Sequence, residues 1–146
     1  MSRENILFFN EGVTSVLRDR TKIRRWLTRC ARKKNRSIGS ITYVFCNDRY
    51  LRKINRRFLG HDYNTDIITF PSMEPRSNRV SGEMYISVDR VRANAAEYDV
   101  TIKDELHRVM VHGLLHLCGE KDKTRNEAIR MRQEEDRMIG LLKDSN

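Results

Sequence analysis

The sequence predicts an α+β fold: one compact domain in which a small mixed sheet of about four strands packs with helices. Two observations carry this. Apolar residues recur at period two mainly in the first two-thirds of the chain and at helical period in the last third. The chain has 146 residues, 38% hydrophobic and 34% charged, which suits a single domain with one core and is too apolar for disorder.

The elements follow in order. Ile6-Leu7-Phe8-Phe9 is a short apolar run that reads as the first strand, and Asn10 to Thr14, with Gly12, reads as a turn. From about Val16 to Lys34 the pattern is helical and very basic, with Ile23, Trp26, Leu27 and Cys30 at the spacing of a buried face. A break lies within Asn35–Gly39. Ile41, Tyr43 and Phe45 then alternate with Thr42 and Val44 as a strand ending near Asn47. Asn47 or Asp48 can cap a helix over Asp48–Phe58 whose apolar stripe is Leu51, Ile54 and Phe58, and Gly60 ends it. Thr65–Pro71 reads as a third strand closed by its proline, Ser72–Ser81 as a mobile loop, and Glu83–Asp89 as a fourth strand. Helices are expected at about Arg90–Tyr98, Ile102–Cys118 and Arg125–Leu142. No internal repeat and no low-complexity tail interrupts this order.

Charge narrows the function classes. Lys and Arg number 29 against 20 Asp and Glu, a formal net charge of +9. That excess points to a polyanionic partner, most often nucleic acid, against the plainer reading of a basic, soluble surface. Three cysteines, Cys30, Cys46 and Cys118, stand far apart with no Cys-x-x-Cys pair, so reduced, buried thiols in a cytoplasmic protein are expected. No apolar run approaches the roughly 20 residues that span a bilayer, and no signal-peptide pattern opens the chain, so no membrane partner is expected.

The chemistry concentrates in Val111-His112-Gly113-Leu114-Leu115-His116-Leu117-Cys118-Gly119-Glu120-Lys121-Asp122. Two histidines four apart on a helix project from one side with Cβ atoms roughly 6 Å apart. Both ring nitrogens can then meet one ion. Gly119 supplies a helix stop, and past it Asp122 can approach the same ion. Two imidazoles and a carboxylate suit Zn²⁺ with a fourth position left for water. Thr124-Arg125-Asn126-Glu127 has the form of a capping box, so Asp122 is not needed as the cap of the last helix. The competing readings are satisfied histidines on a packed helix and a plain surface acid between Lys121 and Lys123. The helix is zincin-like in its histidine spacing, but Gly113 stands where a metalloprotease places its general-base Glu, which disfavours peptide hydrolysis.

His-Gly-Leu-Leu-His-Leu-Cys-Gly, from His112 to Gly119, resembles the signature of the YbeY family of bacterial metal-dependent endoribonucleases. Asn55 to Pro71, which contains Thr65-Asp66-Ile67-Ile68-Thr69-Phe70-Pro71, is similar to the family segment ending Thr-Asp-Val-Leu-Ser-Phe-Pro, and Gly82-Glu83-Met84 resembles its Gly-Asp-Ile strand. Order and spacing agree from about Ser40 onward. The resemblance implies a single hydrolase domain over 1–146. The implied activity is zinc-dependent cleavage of single-stranded RNA in late maturation of 16S ribosomal RNA and in ribosome quality control, with the small ribosomal subunit as partner. It also implies two departures. Asp122 stands where the family has a third histidine ligand, a harder and more negative donor that makes a weaker Lewis acid. Leu59 stands where the family commonly has an arginine implicated in activity.

Further roles follow from that implied reaction. Arg108, one turn before His112, is a candidate phosphate clamp or else an ion-paired arginine. Asp66 and Glu83 match acidic positions of the family and could take a proton from the attacking water or hold a histidine ligand; Asp66 could equally be a strand-start acid bonding backbone. Arg49, Arg52, Lys53, Arg56 and Arg57 could track RNA phosphates or merely solvate their helix. No RNP-type aromatic motif is present, so base-specific readout is not expected. The alternative function is a ribosome-associated RNA-binding assembly factor whose metal is mainly structural, which Leu59 favours.

Overall fold

Alternation and helical period build the expected layers. The structure, a computed structural model, describes residues 5–72 and 77–144. The elements run β1 (Asn5–Asn10), α1 (Arg20–Lys33), β2 (Ser37–Cys46), α2 (Asp48–Leu59), β3 (Ile67–Ser72), β4 (Arg79–Ser87), α3 (Val88–Glu97), α4 (Ile102–Leu117) and α5 (Arg125–Asp144). The sheet order is β1-β2-β4-β3. β1 and β4 both pair parallel to β2, and β3 pairs antiparallel to β4 as an edge. The sheet is therefore mixed, and the fold is the α+β arrangement expected.

The pleat sorts the strand side chains to two faces. On one face Ile6, Phe8, Ile41, Tyr43, Phe45, Met84 and Ile86 join the buried sides of α1, α4 and α5. On the other, Cys46, Leu51 and Ile68 form a smaller cluster under α2. Each fully buried aliphatic or aromatic chain here contributes about 1.5–3 kcal/mol of transfer free energy. Two buried polar tips fix how the layers meet. Trp26 Nε1 donates to Met138 O at 2.7 Å, tying α1 to α5, and Tyr43 Oη donates to Met110 O at 2.9 Å, tying β2 to α4. Both tips would cost about 1–3 kcal/mol if left unpaired.

Gly113 lets α4 lie against the sheet. A Cβ at this position would run into Met84 Sδ and would stand 2.7 Å from Ile67 Cδ1. The larger glutamate that a metalloprotease needs there would therefore have no room without moving the helix off β3 and β4.

Several boundaries differ from expectation. α1 begins at Arg20, not Val16, because Asp19 adopts a left-handed φ of 53° and breaks the helix there. β2 reaches back to Ser37. β4 covers Arg79–Ser87 and stops two residues early because the Ser87 side chain accepts from Arg90 N and starts α3 at Val88. Of the loop expected over Ser72–Ser81, residues 73–76 lie outside the described residues, while Ser72 ends β3 and Arg79–Ser81 opens β4. Phe58 is not in the stripe of α2: it is 61% exposed and Asn55 is buried instead. The three cysteines are buried free thiols, as expected.

Candidate metal centre

α4 is started by Thr101, whose side chain accepts from Asp104 N at 3.0 Å, with Asp104 and Glu105 favourably placed near the positive end of its dipole. His112 and His116 stand one helical turn apart on it, and their Nε2 atoms are 3.1 Å from each other. The helix closes with Gly119 N on His116 O and Glu120 N on Leu115 O, and Gly119 takes φ 102°, open to it for want of a Cβ. The chain then turns back. Asp122 Oδ2 comes within 3.3 Å of His112 Nε2 and 3.2 Å of His116 Nε2.

These three atoms fit one small cation. Tetrahedral ligands at about 2.0–2.1 Å from zinc stand about 3.3–3.4 Å from each other, close to the three separations observed. The other nitrogen of each ring is already held. His112 Nδ1 meets Glu135 Oε2 at 2.5 Å, and His116 Nδ1 meets Glu120 O at 2.9 Å. Those contacts orient both rings and leave Nε2 facing the cluster. Side-chain exposures of 23%, 30% and 36% leave the three groups reachable from solvent.

A chain of polar contacts stands behind His112. Glu135 is 5% exposed and also accepts from Arg108 Nη1 at 2.9 Å, while Arg108 Nη2 reaches Asp136 at 2.7 Å. Burial works against the His112 imidazolium, but the Glu135 hydrogen bond and charge, with Asp122 and Asp66, outweigh it and hold the ring above its ordinary pKa. The loop carrying Asp122 is anchored by Lys34, which reaches Glu120 at 3.2 Å and Glu134 at 2.6 Å. Glu127 accepts from Thr124 N at 3.0 Å and Thr124 Oγ1 accepts from Glu127 N at 3.1 Å, so the capping box forms.

The cluster opens into a groove of about 730 Å³, in the range of ligand sites. Asp66 lines it with His112. Burial pushes the Asp66 carboxyl up, partly countered by His112 and by the Asp66 and Ile67 backbone N–H groups. Leu59, His61, Tyr63 and Lys123 also line it. Arg49, Arg52, Lys53, Arg56 and Arg57 are all exposed on α2, whose C-terminal end borders the groove.

Two expected site residues are placed elsewhere. Glu83 is exposed on the α2 side of β4, where Tyr85 Oη donates to it at 3.4 Å; its neighbour Met84 takes the side facing α4, and alternation forbids both. Arg108 is the ion-paired arginine and not a phosphate clamp, because Glu135 and Asp136 take up its guanidinium. The histidine partner assigned to Asp66 or Glu83 is Glu135. Its signal was present in the sequence: Met131, Glu135, Met138 and Leu142 form the buried stripe of α5, and an acid in such a stripe needs a partner. The Glu120 carbonyl carried no sequence signal. His107, on another face of α4, is 6% exposed and lies against Trp26 with ring centroids 5.7 Å apart.

The family model "Endoribonuclease YbeY" matches residues 10–143. An endoribonuclease YbeY of Cytophaga hutchinsonii is 50% identical over 143 residues, 98% of this chain and 99% of that protein. One from Porphyromonas gingivalis is 42% identical over 140 residues, 96% of this chain and 91% of that protein. A solution structure of a Thermotoga maritima protein shares the fold, with a TM-score of 0.62 over 95% of this chain and 92% of the other at 24% identity.

Proposed function

The chain belongs to the endoribonuclease YbeY family, and on that premise we propose that it is a zinc-dependent endoribonuclease cutting single-stranded RNA. Its place is late maturation of 16S ribosomal RNA and ribosome quality control, in the cytoplasm and on the small ribosomal subunit. One observation supports the reading above others: His112, His116 and Asp122 offer three atoms at ligand–ligand spacing, at the edge of an open groove.

His112, His116 and Asp122 would hold the ion, which supplies an acidified water and a Lewis acid for a phosphoryl oxygen. Glu135 and the Glu120 carbonyl keep both imidazoles turned with Nε2 toward the ion's place. Asp66, on the same groove, takes a proton from the attacking water. Cations along α2, with Lys123 in the groove, hold the phosphates of the strand. Leu59 contributes no charge where the family arginine would stand, so substrate holding falls to these others.

Elemental analysis of protein purified without added metal, with cleavage assays on unstructured RNA and on a duplex, tests this. One zinc per chain and cleavage of the unstructured RNA are expected from the wild type, with both lost in His116→Ala and in Asp122→Ala. Stoichiometric zinc with identical background cutting by wild type and variants would leave the RNA-binding assembly factor in place of the nuclease. Absence of any ion from the wild type would overturn the metal centre.

A further inference from the structure

The α2 side of the groove carries an aromatic pair with no role in holding the ion. The His61 and Tyr63 rings have centroids 5.2 Å apart and planes within 19° of parallel, and Tyr63 Oη lies 3.0 Å from His61 Nδ1. Both rings are exposed, Tyr63 by 55%, and both line the groove that holds His112, His116 and Asp122.

The stretch that bears them is fixed, not loose. Asn55, 1% exposed, donates from Nδ2 to Tyr63 O at 3.0 Å, and its backbone carbonyl accepts from His61 N at 3.2 Å. Asp62, between them in sequence, is reached by Arg52 at 2.9 Å and by Arg56 at 3.8 Å. Two cations expected to track phosphates thus help hold the loop. A buried amide and two guanidiniums spent on a solvent-facing loop make sense if the loop must present something in a set orientation.

We infer that His61 and Tyr63 form a stacking subsite for one unpaired nucleobase of the RNA strand in the groove. The inference deepens the nuclease reading and rests on it. One face of Tyr63 is covered by His61 and its exposed remainder offers a flat apolar surface. Every nucleobase has a π-face, so such a platform is tolerant of sequence. A base inside a duplex already has both faces stacked and cannot reach it, whereas a splayed base of a single strand can. The subsite therefore gives the groove its preference for unpaired RNA without base-edge readout.

The test uses the full chain stripped of metal, so that binding is read without cleavage. The probes are a short unstructured RNA carrying a fluorescent adenine analogue that dims on stacking, and a duplex of the same sequence. Tyr63→Ala is expected to weaken single-strand binding by about 5- to 100-fold and to abolish the dimming, with duplex binding unchanged. Tyr63→Phe, which keeps the ring and loses the hydroxyl, retains both signals, and His61→Ala weakens them. Wild-type affinity and dimming in Tyr63→Ala and His61→Ala would overturn the subsite, as would equal wild-type binding of single strand and duplex. Cleavage by the metal-loaded wild type is scored separately. Cleavage with no effect of Tyr63 removes the subsite and keeps the nuclease; Tyr63-dependent dimming without cleavage removes the nuclease and keeps the subsite.

Discussion

The two sides of the groove are built by opposite means. On the α4–α5 side the polar groups are sunk and saturated: Glu135 is 5% exposed and meets His112 and Arg108 together. On the α2 side the groups stand in solvent: Arg52 and Asp62 pair at side-chain exposures of 49% and 54%, and Tyr63 is 55% exposed. Burial removes alternatives, so the first side holds ring nitrogens where a coordination shell requires them. Exposure keeps charge and stacking surface available but leaves them weak and screened by salt. Positional accuracy and adjustable recognition are thus assigned to different parts of one groove.

Glu135→Ala breaks that contrast most. It leaves the half-buried Arg108 with Asp136 alone and takes the partner of His112 Nδ1, and a loss of about 3 kcal/mol in urea unfolding is expected. Metal affinity falls by about 10- to 100-fold with it. Full stability in this variant would show that the buried side is no more demanding than the exposed one.

A pH dependence on the face of α4 turned to α1, away from the groove, comes next. Burial, with Lys103 adding to it, pushes the His107 imidazole down to about 4 from an ordinary 6.5. Above pH 6.5 the ring is neutral in both states. As the pH falls from 6.5 to 4 the unfolded chain takes up a proton that the folded one refuses, so stability drops, by on the order of 3 kcal/mol in all. Subtracting the unfolding profile of His107→Phe from that of the wild type isolates this loss; parallel profiles would remove the assignment.

Gly113→Ala tests how closely α4 is seated. The added methyl meets Met84 and Ile67, and a cost of about 1–3 kcal/mol is expected in thermal or urea unfolding. Arg52→Ala, on the exposed side, is expected to cost about 0–1 kcal/mol, less at high salt. A larger loss than that of Gly113→Ala would reverse the ranking of the two sides.

The layers were legible because periodicity reports burial directly: Tyr43 and Phe45 on β2, and Ile23, Trp26 and Leu27 on α1, are buried where their spacing puts them. The histidine pair and Asp122 were legible because helix geometry fixes a four-residue spacing and Gly119 marks the turn. Misplaced features share a cause. Phe58 fits the stripe of α2 by period, yet Asn55 takes the buried place because its amide and carbonyl find partners in the 61–63 stretch. Glu135 and Arg108 satisfy each other from positions 27 residues apart in sequence, a pairing no local pattern contains. Glu83 was misassigned to the site because matching an acidic position says nothing of which strand face it occupies.

The capping box of α5 has a wider consequence. Thr124 and Glu127 satisfy the backbone at the start of that helix, and the contacts of Asp122 run to the two histidines alone among the hydrogen bonds and ion pairs described. Position 122 is thereby excused from architecture. A change of donor there, Asp122→His for one, would alter what the two imidazoles face while leaving the cap of α5 intact.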